Sequence, residues 1–311
     1  MSNTVLITDH LFIFDEHVQR LQQAGLSVER LDVPQASEEE LCEAIKGKIG
    51  YILGGTEKVT PAVIDAADEL KAIAFTGTDW EGFIPGYAQA TEKGILISNT
   101  PGANAYSVAE YTVMLILMLL RRPLELGSTG TSKFVTTGSI LDARIGIVGM
   151  GRIGELVARM LIGMGATDVV YWSRQAKPAL QEELGIRFMP LEELVETADV
   201  ITTHVPSSAG EVLTKDLLRT TKEGVVLVNT GAQETYNHDA LYDLLIDQKA
   251  RAAFDFPIEE TRFEKLTADV WFYSNVTTAY NTHEAAQLAS DMATESLINL
   301  LATGQDDYRV N

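Results

Sequence analysis

Short apolar runs and amphipathic stretches alternate along the chain. VLIT (5–8) precedes LFIFDEHVQRLQQAG, whose apolar positions recur at helical spacing and which stops at Gly25. SVERLDV, SEEELCEAIKG and IGYILGG repeat the order strand, helix, strand. In TPAVIDAADEL, Thr60 stands at an N-cap and Pro61 at the first helical position, where its missing N–H costs nothing. AIAF (72–75) and GILIS (94–98) are further apolar runs of the kind a strand covered on both faces requires.

A long helix is predicted over residues 105–122, containing the longest apolar run, VMLILMLL (113–120). A membrane span takes roughly 17–25 apolar residues, so this run fits a helix buried between domains or subunits. A second series follows: IGIVG (145–149), DVVYW (168–172), VITTH (200–204), GVVLVN (224–229) and AAFDF (252–256). The last strong segment, THEAAQLASDMATESLINLLATG, has Thr282 to cap it and Gly304 to close it. This alternation predicts an α/β protein of two doubly wound parallel-sheet domains, with the C-terminal helix returning to pack on the first. The 311 residues suit two domains of roughly 100–200 residues each.

Composition then removes several function classes. A net charge of −20 argues against nucleic-acid binding, which needs basic stripes to neutralise phosphate. The single cysteine, Cys42, permits neither a disulfide framework nor a cysteine metal site and reads as a bystander in a helix. No H-E-x-x-H metal spacing and no G-x-S-x-G nucleophile elbow occurs, and no metal is expected. Glu259 and Glu260 are adjacent carboxylates, but neighbours on an extended segment point apart and form no catalytic pair. The opening MSNTVLITDH carries neither the basic nor the apolar segment of a secretory signal, so the expectation is a cytoplasmic protein.

ARIGIVGMGRIGELVARML holds the most informative motif. Gly149, Gly151 and Gly154 form G-x-G-x-x-G between an apolar strand and a helix, which suits a tight turn, close approach of a pyrophosphate and close helix–strand packing. The first turn of that helix, with Arg152 and Ile153, would offer unpaired N–H groups and the positive end of the helix dipole. The next strand ends in YWSRQAK. Ser173 stands where an NAD site carries an acid, and Arg174 and Lys177 follow. Loss of the carboxylate removes repulsion toward a 2′-phosphate, and Arg174 can pair with that phosphate through two hydrogen bonds. NADP is favoured, with NAD as second choice; the bland alternative makes Arg174 a surface-loop cap.

At this point the chain resembles the D-isomer-specific 2-hydroxyacid dehydrogenase family. The pieces that carry the resemblance are LKAIAFTGTDW, ATEKGILISNTPGANAYSVAEYTVMLILMLLRR, GMGRIG, THVPSSAG, VLVNTG and FDFPIEE. The resemblance implies a Rossmann cofactor domain (101–283) inserted into a flavodoxin-like substrate or lid domain (1–100 plus 284–311), a cleft between them, and a homodimer. It also places His204, Val205 and Pro206, then Thr230, Gly231 and Ala232, beside the cofactor, and turns Asp255 toward the nicotinamide amide. A strand-end Asp bonding local backbone is the alternative for Asp255.

The same resemblance implies an Arg that clamps the substrate carboxylate, a His that exchanges the proton on the 2-hydroxyl, and a Glu that tunes it. Here the NTARG pattern reads Asn229-Thr230-Gly231-Ala232-Gln233, so Ala232 replaces the Arg. Counting back seven residues from Glu284-Ala285 lands on Thr277, so the His is replaced as well. Glu260, five residues after Asp255, remains. Tyr280, Asp79 and, behind them, His283 are candidate substitutes for the acid or base, although His283 reads better as a surface residue of a helix's first turn. His238 reads as part of a helix start near Asn237. The loop of Thr76, Gly77, Thr78 and Asp79 could hold an anionic group through backbone N–H. Trp80 and Phe83 suggest a more apolar pocket or plain core packing.

Three readings compete. One is an NADP-dependent oxidoreductase acting on a small anionic substrate, a 2-hydroxy or 2-oxo acid or an imine, by a scheme departing from Arg and His. An iminium needs no proton at the moment of hydride transfer, and Glu260 would steady its charge. The second is a catalytically silent dinucleotide-binding regulator. The third keeps the cofactor bound and recycles it during a non-redox conversion.

Overall fold

The computed structural model describes residues 3–8, 13–33, 35–127 and 135–311. Leu11 and Phe12, expected within the first amphipathic stretch, lie outside the described residues. Two compact units emerge: Met1–Asn104 with Asn281–Asn311, and Ala105–Tyr280.

The first unit is a five-stranded, all-parallel sheet. Its strands β1 (Thr4–Thr8), β2 (Ser27–Arg30), β3 (Gly50–Leu53), β4 (Ala72–Phe75) and β5 (Leu96–Ser98) stand in the order β2-β1-β3-β4-β5. Alternate residues enter opposite cores. Leu6, Tyr51, Leu53, Ile73 and Ile97 face one side with Leu41 and Val63 from the helices Glu38–Ala44 and Pro61–Ala66. Val5, Ile7, Ile52, Ala72 and Ala74 face the other, against Leu21 of Asp15–Gln23 and Leu297 of the last helix, His283–Thr303. A Cβ on Gly50 would stand 2.9 Å from Val5 Cγ1 and 3.1 Å from Leu297 Cδ1, so that helix lies close on β3. Its ends are set locally: Thr282 Oγ1 accepts from the Ala285 N–H at 3.1 Å, and Gly304 closes it at φ +72°.

The second unit carries seven parallel strands: β6 (Arg144–Val148), β7 (Asp168–Trp172), β8 (Arg187–Phe188), β9 (Val200–Thr203), β10 (Val225–Asn229), β11 (Ala250–Phe254) and β12 (Trp271–Tyr273). Their order is β12-β11-β10-β9-β6-β7-β8, so the winding reverses between β6 and β9. Such a reversal opens a crevice at the carboxyl ends of the strands, the usual ligand position in a doubly wound sheet. The edge strands β8 and β12 escape the sequence pattern because they are too short to show a period.

The apolar run 113–120 differs from expectation. In the helix Ala105–Arg121, Val113, Leu115, Ile116 and Leu119 are buried against Ile145, Val157 and Leu161 of the same unit. The buried side of the run therefore serves its own domain's core while Met114 stays exposed, and the chain divides where this helix begins. Among the described residues no helix is long and apolar enough to cross a membrane.

Candidate functional site

The three glycines of the fingerprint behave differently from one another. Gly149 leaves β6 at φ +103°, where a Cβ would meet the His204 carbonyl oxygen at 2.4 Å. A Cβ on Gly154 would stand 2.1 Å from the Gly149 carbonyl oxygen, so only glycine lets the helix Arg152–Gly163 start this close to the strand. Gly151 has φ −83°, and a Cβ there would meet nothing within 4 Å. Neither packing nor backbone conformation demands glycine at 151. The open space in front of it, at the positive end of a helix, fits a phosphate.

That space belongs to a cavity of about 850 Å³. Gly149, Gly151, Ser173, Arg174, Lys177, His204, Val205 and Pro206 all line it, whereas Arg152, Ile153 and Gly154 do not. Met150, Trp172, Gln175, Ser208, Ala209 and Val212 complete the wall without having been anticipated. No carboxylate lines the cavity, in a chain of net charge −20. Ser173 Oγ donates to the Gln175 carbonyl at 2.6 Å and fixes the turn after β7. The Lys177 N–H donates to Tyr171 Oη at 2.7 Å. Neither Arg174 nor Lys177 forms an ion pair with a described residue.

His204 Nε2 lies 3.0 Å from Thr202 Oγ1, while Nδ1 is buried with no protein partner. Burial lowers its pKa to about 3, so it faces the cavity as a neutral imidazole. The orphaned Nδ1, the unpaired cations and the glycine cradle together fit a dinucleotide.

Asn229, fully buried at the end of β10, shapes the next loop. Its Oδ1 accepts from the Gly231 N–H at 2.9 Å and its Nδ2 donates to the Ala232 carbonyl at 3.0 Å. Thr112 Oγ1 donates to the Val108 carbonyl at 2.8 Å, so in its 2.9 Å contact with Thr230 it must accept. Thr230 is left as an acceptor for any ligand. Thr230, Gly231 and Ala232 do not line the 850 Å³ cavity, but a Cβ on Gly231 would lie 3.4 Å from the carbonyl oxygen of Val205, which does.

Asp255, just beyond β11, is fully buried and accepts from the N–H groups of Thr278 (3.0 Å) and Ala279 (2.8 Å). It thus bonds backbone 23 and 24 residues further along the chain and latches the segment containing Thr277. Glu260 is not a free carboxylate. Its Oε1 is 2.8 Å from His238 Nδ1 and its Oε2 2.5 Å from Arg262 Nη2. Burial pushes its carboxyl up, but the hydrogen bonds from His238 and Arg262 outweigh that and hold it below the usual carboxylate range. Tyr280, 37% exposed, has no hydrogen bond among the described residues. His238 is what the sequence reading missed. Its place beside the cap Asn237 was visible, but its pairing with a residue 22 positions away was not.

In the first unit, the Thr76 N–H and Oγ1 both donate to the Leu53 carbonyl, so Thr76 is withdrawn from the expected anion-holding set. Gly77 and Thr78 keep N–H groups without an acceptor among the described residues, and Asp79 caps the short helix Trp80–Phe83 without a side-chain bond. Trp80 packs on Tyr87 and Phe83 on Phe75, so both rings are core residues. His283 is the first residue of the last helix, with its ring 5.6 Å from that of Phe14. It belongs to a different unit from Glu260, which has taken His238 instead.

Residues 113–283 match the family model described as D-isomer specific 2-hydroxyacid dehydrogenase, NAD binding domain. The chain is 30% identical over 262 residues to hydroxypyruvate reductase of Thermotoga maritima, covering 79% of this chain and 84% of that protein. It belongs to the D-isomer specific 2-hydroxyacid dehydrogenases. Its cofactor is therefore a nicotinamide dinucleotide, and it is an oxidoreductase. It is also 32% identical over 259 residues to human D-3-phosphoglycerate dehydrogenase, covering 80% of this chain but spanning only 47% of that protein. Among solved structures, the acyclic imino acid reductase Bsp5 in complex with NADPH and D-Arg superposes with a TM-score of 0.82 at 21% identity, over 99% of this chain and all of that one. That likeness is one of fold.

Proposed function

We propose that this dehydrogenase uses NADP rather than NAD and transfers hydride to or from a small anionic substrate, a 2-oxo or 2-hydroxy acid or the related imine. The observation that carries the cofactor choice is the wall after β7, where Arg174 and Lys177 stand unpaired and no carboxylate is present. A 2′-phosphate needs such charge, whereas the ribose diol of NAD is normally held by an acid. The bound nicotinamide would supply the hydride.

The protein's own residues hold and orient. The cofactor domain is the unit Ala105–Tyr280, and the lid domain is the other unit. Arg152 and Ile153 add first-turn N–H groups for the phosphates, Thr230 accepts from the cofactor, and the free N–H groups of Gly77 and Thr78 take the substrate's anionic group. Glu260 is already countered by Arg262 and His238, so a cationic iminium gains little from it. The exposed apolar residues Tyr106, Met114, Leu124, Leu141 and Met164 support a homodimer built on the cofactor unit.

The test is a titration of the purified protein with NADPH and NADH, read by cofactor fluorescence, followed by turnover on 2-oxo acids with and without ammonia. Arg174→Ala should weaken NADPH at least tenfold and leave NADH within about threefold, because one charge-assisted phosphate contact is worth about 1.5–3 kcal/mol. Equal losses for both cofactors would remove Arg174 from the phosphate site. The absence of an Arg at 232 and a His at 277 keeps a silent cofactor-binding regulator as second reading. Tight NADPH binding with no turnover on any acid or amine mixture would favour it.

A further inference from the structure

We propose that His238 is the proton-exchanging residue of this enzyme and that Glu260 and Arg262 are its positioning residues. The inference rests on the oxidoreductase reading above and names the group that completes it.

The cofactor unit contains two histidines, His204 and His238. His204 has its basicity abolished near neutral pH by burial. His238 opens the helix His238–Ile246, whose cap, Asn237, accepts from the Ala240 N–H at 3.0 Å. This cap fixes the backbone that carries the ring. Glu260 takes Nδ1 at 2.8 Å, which directs that nitrogen's proton to the carboxylate and leaves Nε2 as the exchanging nitrogen.

Glu260 is itself immobilised. Arg262 Nη2 holds its Oε2 at 2.5 Å, and Arg262 Nη1 reaches Asp239 Oδ1 at 2.8 Å. The guanidinium lies 5.1 Å above the Tyr242 ring and 5.6 Å from that of Phe263. Three charged groups and two rings thus fix one imidazole. Among the described residues, Lys215 adds a further positive charge acting on Asp239.

Nε2 is aimed at the loop after β10. It lies 3.2 Å from the carbonyl oxygen of Gln233, the residue following Ala232, and the side chain stays 25% exposed. A 3.2 Å bond to a neutral carbonyl is weak enough to be exchanged for one to a substrate oxygen. A purely structural histidine gains nothing from that exposure.

In reduction, the carbonyl carbon gains hydride while the C=O π pair moves to oxygen and takes the Nε2 proton. The C2 hydroxyl would form and the imidazolium would become neutral with its Nδ1–H still on Glu260, the bound reduced nicotinamide having supplied the hydride. In oxidation, Nε2 removes the hydroxyl proton.

The experiment uses full-length protein with ¹⁵N-labelled histidine, NADP⁺ and oxamate as the 2-oxo-acid probe, with His238→Gln to assign the ring signals. Oxamate added to the NADP⁺-loaded protein should shift the His238 Nε2 signal, while His17 and His204 stay in place. In parallel, His238→Gln should lower kcat by about 10²–10⁴-fold with NADPH affinity kept. Glu260→Gln should lower kcat less and move the ¹⁵N signal of His238 Nδ1, which Glu260 holds, with NADPH affinity kept. A His238 signal unmoved by oxamate in cofactor-loaded protein, or a His238→Gln enzyme retaining kcat within threefold, overturns the assignment and leaves NADP binding intact. Failure of wild-type protein to bind NADPH would instead sink the cofactor reading, and this inference with it.

Discussion

Replacing Gly151 by alanine separates what the fold requires from what a ligand requires. The residue has an ordinary φ of −83°, and the added Cβ would find no protein atom within 4 Å. Two small effects on stability oppose each other. Alanine is a poorer N-cap than glycine by roughly half to one kcal/mol, but it restricts the unfolded chain by about 0.4–1 kcal/mol. The net should stay within about 0.5 kcal/mol, a shift of roughly 1–2 °C in a unit of this size. Cofactor affinity should behave differently. A methyl group in front of the helix N-terminus would displace a phosphate from at least one backbone N–H, a charge-assisted bond worth about 1.5–3 kcal/mol, and Kd should rise about 10–100-fold. The assay pairs a thermal melt with a fluorescence titration of NADPH on the same preparation. Unchanged melting together with unchanged affinity would refute the placement of the pyrophosphate at this loop.

The companion variant Gly154→Ala should instead unfold the unit at lower temperature, because its Cβ collides with the Gly149 carbonyl; a loss of more than about 2 kcal/mol in chemical denaturation is expected, and an unaltered midpoint would contradict it. Asn229→Ala removes the bonds from Asn229 to Gly231, Ala232 and Thr235, and should lower stability by about 2–4 kcal/mol in the same measurement. Stability should also fall in acid. The folded pKa of His204 is about 3 and that of His17 is lowered by burial, so the unfolded chain binds more protons below the unperturbed value near 6.5. Their contribution is complete above that value and lost as pH falls, by up to about 2 kcal/mol from His204 between pH 6.5 and 5. A melting temperature equally steep in His204→Asn over that interval would exclude His204 as the source.

The parallel sheets were legible because their strands are buried on both faces and therefore uniformly apolar; β4 and β7 match their predicted ranges residue for residue. β8 and β12 were not, since two or three residues carry no period. The tight turn at Gly149 and the close packing at Gly154 could be read because each is local to one turn. The pairings of Glu260 with His238 and of Asp255 with Thr278 and Ala279 join segments far apart in the chain, and one sequence gives no sign of them. Thr76 shows a related limit: the direction of one N–H in a loop depends on the neighbouring strand.

The last helix has a bearing on biosynthesis. The face of the first sheet formed by Val5, Ile7, Ile52, Ala72 and Ala74 is covered by Leu297 and Leu300, which the ribosome adds only after both sheets and the whole cofactor unit. The cofactor unit, Ala105–Tyr280, has its own continuous stretch of chain and can complete its core while the earlier sheet still shows an apolar side. During that interval the nascent chain offers a sticky surface to chaperones and to other nascent chains. Truncations before residue 283 should accumulate as aggregates even though every strand of both sheets is present.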